Sequence, residues 1–150
     1  AHQLMPQAVL EFGFVLTLQN LIDALQNEHL AIQFSHYLPD DRKLPPKVAL
    51  SLYRICQEAL QNIIKHAMAN EVNLQLVKDS ELLQLTIEDN GKGFDPEQQH
   101  AGYGLNNMKT RAQALGGLLF IDSQPGKGSV ITVQIPNEKQ IYGSLENTAG

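Results

Sequence analysis

The chain has 150 residues, enough for one domain, and its 43% hydrophobic and 18% charged residues are typical of a soluble globular fold. Eleven Lys and Arg stand against sixteen Asp and Glu, a formal charge of −5 with no basic run, so nucleic acid is not an expected partner. The lone Cys56 excludes an internal disulfide and is expected to be a small buried apolar residue, and no apolar stretch is long enough to span a membrane.

The first half of the chain alternates between helical and strand-like patterns. Apolar residues at helical spacing predict a helix over residues 10–27, with Gly13 as a weak point near its start. The alternating segment 29–37 predicts a strand. A turn-rich loop follows, and a Pro-Pro pair suits the first turn of a second helix that runs from about residue 45 to Met68.

The second half is richer in strands. They are predicted at residues 71–79, 82–90, 118–123 and 129–135. Between the two pairs lie the loop 91–104, "GKGFDPEQQHAGYG", which has no hydrophobic period and is expected to move, and a short helix at 105–117 that ends in a glycine pair. The order of elements predicts one domain over residues 1–136 and a flexible tail over 137–150.

Helices that alternate with pairs of strands predict the fold class. Adjacent strands imply antiparallel hairpins, and helices between the pairs imply one helical layer on one face of a mixed sheet. We therefore expect an α/β (α+β) two-layer sandwich with a largely antiparallel sheet.

The second predicted helix has a polar stripe on one side. Glu58, Asn62 and Lys65 fall at i, i+4 and i+7, so they share one face of a helix with 3.6 residues per turn. An apolar stripe lies roughly opposite and is made of Leu52, Cys56, Ala59, Ile63 and Ala67. For a single helix, a solvated outer face is the more common explanation of such a polar stripe. Asn is, however, a poor residue for a helix interior.

Three glycine-rich segments supply what a polar face in a binding site would need. "DNGKGF" at 89–94 ends a strand, with a carboxylate acceptor and glycines that let backbone approach a flat ligand. "GYGLNNM" at 102–108 opens a helix whose free N–H groups would face an anion. "PGKGS" at 125–129 joins two strands. Each alone is explained by an ordinary turn or helix start, but their order and spacing together are specific.

These segments together resemble a known family, the ATP-binding catalytic domain of bacterial two-component sensor histidine kinases. Its Bergerat (GHKL) fold is shared with the gyrase B, Hsp90 and MutL ATPases. "EALQNIIKHA" is similar to the family's N box, "DNGKGF" to its G1 box, "GYGLNNM" to its G2 box and "PGKGS" to its last glycine turn. The forms "EALQNIIKHA" and "GLNNMKTRAQALGG" resemble the subgroup of the nitrate sensors and the desaturase thermosensor.

The resemblance implies a role for each matching residue. Asp89 would accept a hydrogen bond from the adenine amino group, Ser129 would help to hold Asp89, and Asn62 would bind Mg²⁺. Glu58 would be the catalytic carboxylate near the transferred phosphate. The remaining ATP-binding residues would be Lys65, His66, Gly91, Gly93, Phe94, Gly102, Tyr103, Gly104 and Leu105, with residues 95–103 as a lid.

The resemblance also implies partners. The family's phospho-acceptor histidine lies in a separate dimerisation domain, and none of this chain's histidines lies in such a motif. We therefore expect the chain to be the ATP-dependent donor half of a kinase that passes phosphate to a response regulator. The expected assembly is a cytoplasmic, monomeric fragment of a homodimeric kinase, and both a soluble and a membrane-anchored full-length protein fit this expectation. Alternatives on the same fold are an ATPase of the gyrase–Hsp90–MutL type and an anti-sigma-factor serine kinase.

Overall fold

The computed structural model describes residues 6–38, 40, 43–97 and 104–137, in which four helices pack on a five-stranded sheet. In chain order the elements are α1 Pro6–Phe12, α2 Phe14–Leu25, β1 Ala31–Tyr37, α3 Pro46–Asn62, β2 Glu71–Lys78, β3 Leu82–Asp89, α4 Leu105–Ala114, β4 Leu118–Ser123 and β5 Ser129–Pro136. The expected tail falls, apart from Asn137, outside the described residues.

The sheet is mixed, in the strand order β1-β2-β3-β5-β4. β1 runs parallel to β2, and every other neighbouring pair is antiparallel. Side chains alternate between buried and exposed along β2 and β3, so one face of the sheet packs on the helices. This confirms the predicted two-layer sandwich, including both antiparallel hairpins.

The expected single helix near the start of the chain is wrong, because Gly13 divides it into α1 and α2. Gly13 has φ 88° and ψ 161°, a conformation that favours glycine and that no helix contains. The hydroxyl of Thr17 donates to the carbonyl oxygens of Gly13 (2.8 Å) and Ala8 (3.2 Å) and so stabilises the break. Phe14, fully buried directly after the break, is thereby directed into the core.

The helix that carries the predicted polar stripe changes its winding before it ends. α3 is α-helical to Asn62, and residues Ile63–Ala67 continue it as a π-helical turn. Met68 then ends the segment in the left-handed region at φ 54°. π-helical turns are rare and often occur at functional sites, and this one lies directly beside the pocket described below.

Two further expectations concern the burial of Cys56 and whether any helix could span a membrane. Cys56 is fully buried in α3, as predicted, and burial raises the pKa of its thiol far above its ordinary value, so it is unreactive. Among the described helices, none is both long and apolar enough to cross a bilayer.

Candidate functional site

A pocket that opens to solvent lies between the end of α3, the end of β3, the start of β5 and the start of α4. Its lining residues come from four separate parts of the chain: Ala59, Asn62, Ile63, His66, Ala67, Asp89, Gly93, Phe94, Leu105, Ser129 and Ile131. The predicted site residues among them are Asn62, His66, Asp89, Gly93, Phe94, Leu105 and Ser129. The fold therefore brings together most of the positions that the sequence motifs indicated.

Asp89 is the most enclosed polar group of this pocket, with 6% of its surface exposed. It is the last residue of β3 and pairs with Ser129 of β5. The Ser129 hydroxyl donates to its Oδ2 (2.8 Å), and the Gly91 N–H donates to its Oδ1 (2.8 Å). Each carboxylate oxygen can accept a second hydrogen bond, so Asp89 is held in place while it keeps acceptor capacity for a ligand in the pocket.

The loop after Asp89 is attached to the end of the π-helical turn. A Cβ at Gly91 would overlap the carbonyl oxygen of Ala67, so only glycine allows the two backbones to approach so closely. Asn90 strengthens the attachment, because its Oδ1 accepts the N–H groups of Asn70 and Glu71, each at 3.0 Å. The sequence motif identified Gly91 but did not indicate this function of Asn90.

The same loop is also attached to the turn between β4 and β5. Gly93 has φ 64°, and a Cβ there would overlap the carbonyl oxygen of Gln124. The N–H of Gly126 donates to the carbonyl oxygen of Lys92 at 2.5 Å. The segment 91–94 is therefore fixed from two sides, by α3's extension and by the β4–β5 turn.

Ser123 is a further residue of this turn that the motifs did not predict. It is the last residue of β4 and is 8% exposed. Its Oγ accepts the N–H of Phe94 at 2.9 Å and donates to the carbonyl oxygen of Gly128 at 3.2 Å. A serine at the end of an alternating strand gives no sequence signal for such a contact, because the partner lies 29 residues away in the chain.

Glu58 and Gly104 meet beside Leu105, and neither of them is among the residues that line the pocket. Gly104 precedes α4 with φ 61°, and a Cβ there would overlap the carboxylate of Glu58. Leu105, the first residue of α4, is buried behind them. The predicted catalytic carboxylate is thus half-buried and lies against the start of the helix that the motifs assigned to phosphate binding.

The polar stripe is arranged differently from the sequence expectation. Asn62 and His66 line the pocket, whereas Lys65 is exposed and is not among the lining residues. A π-helical turn advances fewer degrees per residue than an α-helix, so Lys65 falls behind the stripe that 3.6-residue spacing gives it. The apolar stripe is buried from Leu52 to Ile63, and three of its residues, Ala59, Ile63 and Ala67, also line the pocket.

Part of the predicted lid, residues 98–103, lies outside the described residues. This part includes the predicted ATP-binding residues Gly102 and Tyr103. In the described ranges, no three His, Cys, Asp or Glu side chains cluster as a metal cage would require.

Comparison with known proteins identifies the family. Residues 47–139 match the family described as Histidine kinase-, DNA gyrase B-, and HSP90-like ATPase. The chain belongs to this family. The expectation drawn from the four glycine- and asparagine-containing motifs is confirmed, and the domain is an ATP-binding fold.

The relatives of this ATPase-family chain are sensor and signal transduction kinases. It is 36% identical over 138 residues to the signal transduction histidine-protein kinase/phosphatase DegS of Brevibacillus brevis, covering 90% of this chain and 35% of that protein. It is also 35% identical over 136 residues to the signal transduction histidine-protein kinase/phosphatase UhpB of Salmonella typhimurium, covering 89% of this chain and 27% of that protein. The chain thus spans about a third of the length of the relatives it matches.

A solved structure with the same fold is the histidine kinase domain of the Erythrobacter litoralis EL346 blue-light activated histidine kinase. The TM-score is 0.71 at 22% identity, over 85% of this chain and 62% of that one. At this identity the similarity establishes the fold, and it agrees with the predicted ATP-binding architecture.

Proposed function

We propose that this domain binds Mg-ATP in the pocket and donates the γ-phosphate to a histidine on the dimerisation domain of a two-component sensor kinase. A response regulator would then receive the phosphate. The observation that carries the proposal is Asp89, a buried carboxylate held by Gly91 and Ser129 at the end of a pocket otherwise lined largely by apolar side chains.

Asp89 would select the base. Adenine offers an amino donor to the carboxylate, whereas guanine offers a carbonyl acceptor at the equivalent position, which would leave two acceptors facing each other. An unpaired buried polar group costs about 1–3 kcal/mol, and more when it is charged. Gly91 and Gly93 hold the loop after Asp89 close to the backbone of Ala67 and Gln124, and Phe94 and Ile131 provide apolar contact.

The triphosphate would lie toward Asn62, His66 and the start of α4. The first N–H groups of a helix attract anions, so the amides at Gly104 and Leu105 suit the phosphate oxygens. Lys65 would add positive charge from the exposed side of the π-helical turn. Mg²⁺ held by Asn62 would neutralise phosphate charge, which allows an acidic domain to bind a polyanion.

Phosphoryl transfer depends mainly on positioning and charge stabilisation, so the acceptor must lie in line with the γ-phosphate. An imidazole nitrogen of the incoming histidine would bond to the γ-phosphorus as the bond to the β–γ bridging oxygen breaks, and ADP leaves. Glu58 lies against the start of α4 and would take the imidazole proton. The kinase dimer would supply the acceptor histidine, and this fragment would be a monomeric, cytoplasmic part of it.

The test uses labelled ATP with this chain alone and then with the dimerisation domain of its own kinase. Label should appear only on the added domain, as an acid-labile, base-stable phosphate. Stable label on the lone chain would contradict the proposal and favour a self-contained serine kinase, whereas rapid phosphate release without a partner would favour an ATPase. Glu58→Gln should slow transfer, and a normal rate would limit Glu58 to shaping the pocket.

A further inference from the structure

We infer that Ser123 is a positioning residue for nucleotide binding: its hydroxyl fixes the backbone of Phe94 and so sets the wall of the pocket against which the base would pack. The inference rests on the proposed binding of an adenine nucleotide. It concerns a residue outside the four sequence motifs and outside the lining of the pocket.

The first step is the geometry of the hydroxyl. Ser123 Oγ accepts the Phe94 N–H at 2.9 Å and donates its own proton to the Gly128 carbonyl oxygen at 3.2 Å. A hydroxyl is one of the few side-chain groups that can both accept and donate at a single atom. Ser123 therefore bridges two backbone segments that are far apart in the chain and that both border the pocket.

The second step is that both bridged segments end at groups of the site. Phe94 lines the pocket. Gly128 has φ 71°, a Cβ there would overlap the carbonyl oxygen of Asp89, and Ser129, the next residue, donates to the Asp89 carboxylate. The bridge therefore fixes the distance between the apolar wall and the buried acceptor, which are the two features proposed to hold the base.

The third step is that Ser123 makes this connection through its side chain. The remaining bonds between the loop and the β4–β5 turn are made by backbone, such as the Gly126 N–H to the Lys92 carbonyl oxygen. Alanine substitutions keep the backbone donors and acceptors, so Ser123 is a position where one attachment of Phe94 can be removed without touching the backbone. At 8% exposure, water cannot readily take the place of the lost hydroxyl.

The experiment titrates the full 150-residue chain with Mg-ADP and, separately, with Mg-tripolyphosphate, which carries phosphates but no base. Ser123→Ala should weaken ADP binding by about tenfold, the effect of one lost hydrogen bond to a buried group. It should leave tripolyphosphate affinity within about twofold, since the phosphates are proposed to lie at the other end of the pocket. Ser123→Thr keeps the hydroxyl and should keep most of the ADP affinity.

The matched control is Val133→Ala, a core substitution on β5 at a fully buried position that does not line the pocket. It should lower the melting temperature without changing ADP affinity. Hydrogen exchange measures the bond to the Phe94 amide directly. This amide should lose its protection from exchange in Ser123→Ala and keep it in Ser123→Thr.

Four results would overturn the inference. Ser123→Ala could bind ADP as tightly as the wild type, or lose ADP and tripolyphosphate equally. Ser123→Thr could lose as much as Ser123→Ala, or Val133→Ala could reproduce the loss of ADP. If the wild-type chain does not bind ADP, the proposed function itself fails. If the wild type binds ADP and Ser123→Ala binds it equally well, only the role of Ser123 fails.

Discussion

The two ends of the pocket are built from different kinds of interaction. At the sheet end, defined here by Asp89, Gly91 and Ser129, the Asp89 carboxylate accepts hydrogen bonds from Ser129 across the strand pair and from Gly91 two residues further along the chain. At the helix end, defined by Asn62 in the pocket and by Glu58 and Gly104 beside it, the contact between Glu58 and Gly104 is one of packing against a helix start. We infer that the sheet end selects the base through fixed geometry, whereas the helix end binds phosphates that are common to all nucleotides.

The largest expected effect comes from breaking the sheet end. Asp89→Ala removes the proposed base acceptor and leaves the Gly91 N–H and the Ser129 hydroxyl without their carboxylate. Hydrogen bonds to charged groups contribute roughly 1.5–3 kcal/mol, so ADP affinity should fall by about ten- to a hundredfold. The preference for ATP over GTP should disappear in calorimetric titration.

Glu88→Ala is the matched control for Asp89, because Glu88 is the preceding residue of β3 and its side chain is exposed. It removes the same kind of charge from the other face of the sheet and should leave both affinities unchanged. Equal ATP and GTP binding by the wild type, or normal ATP binding by Asp89→Ala, would contradict the assignment of the base site.

A smaller effect is expected from crowding the helix end. Gly104→Ala introduces a Cβ into the space of the Glu58 carboxylate at a residue with φ 61°. The overlapping atoms are the end of the flexible Glu58 side chain, so the carboxylate would turn away from the start of α4, and the affinity for ADP and for tripolyphosphate should fall together by about threefold. This shared loss distinguishes the helix end from the sheet end, where the base-free ligand should be insensitive.

Gly116 provides the control for Gly104, because it also has a positive φ of 73° but has no atom within 4 Å of an added Cβ. Both alanine variants should lose about 1–2 kcal/mol of unfolding free energy from left-handed backbone, and only Gly104→Ala should lose ligand. If Gly116→Ala loses ligand as well, backbone strain rather than the contact with Glu58 explains the effect.

Asn62 tests how the helix end depends on metal. In the presence of Mg²⁺, Asn62→Ala should lower ADP affinity by about fivefold, or ~1 kcal/mol. Without metal, the variant and the wild type should bind ADP equally. Gln61→Ala, at the exposed neighbouring position of α3, should keep the Mg²⁺ dependence. An Asn62→Ala variant that fails to fold by circular dichroism would show that the residue is structural, and the metal assignment would be wrong.

The sequence predicted the sheet end better than the helix end, for a physical reason. Buried and exposed residues alternate along a strand with a period of two, so the sequence indicates that Asp89 and Ser129 lie at strand ends. The short turn between β4 and β5 also indicates that these two strands pair in an antiparallel way. Which strands then become neighbours depends on packing across the whole sheet, so the pairing of β3 with β5 and the Ser123–Phe94 bond carry no local signal.

Helical periodicity was less reliable where the winding changes. Gly13 could have been a tolerated glycine inside a helix, and only its φ and ψ in the folded chain reveal the break between α1 and α2. Likewise, nothing in "IIKHA" indicates the π-helical turn at Ile63–Ala67. Spacing at 3.6 residues per turn therefore grouped Lys65 with Asn62, whereas the pocket contains His66.

The smallest expected effect follows from this difference between neighbouring residues. Lys65 is exposed and His66 lines the pocket, so Lys65→Ala should change ATP affinity by less than about threefold at 0.15 M salt, as is usual for exposed charges. Any effect should grow at about 0.01 M salt, where the screening length increases from about 8 Å to about 30 Å. His66→Ala should cost more than Lys65→Ala at both salt concentrations, because it removes atoms from the wall of the pocket. Lys109→Ala, an exposed lysine of α4, gives the background effect of losing one positive charge. A salt-independent loss of tenfold or more in ATP affinity in Lys65→Ala would mean that the Lys65 ammonium binds phosphate directly. The polar stripe predicted from the sequence, which includes Lys65, would then describe the ligand-bound site better than the residues that line the pocket, which do not include it.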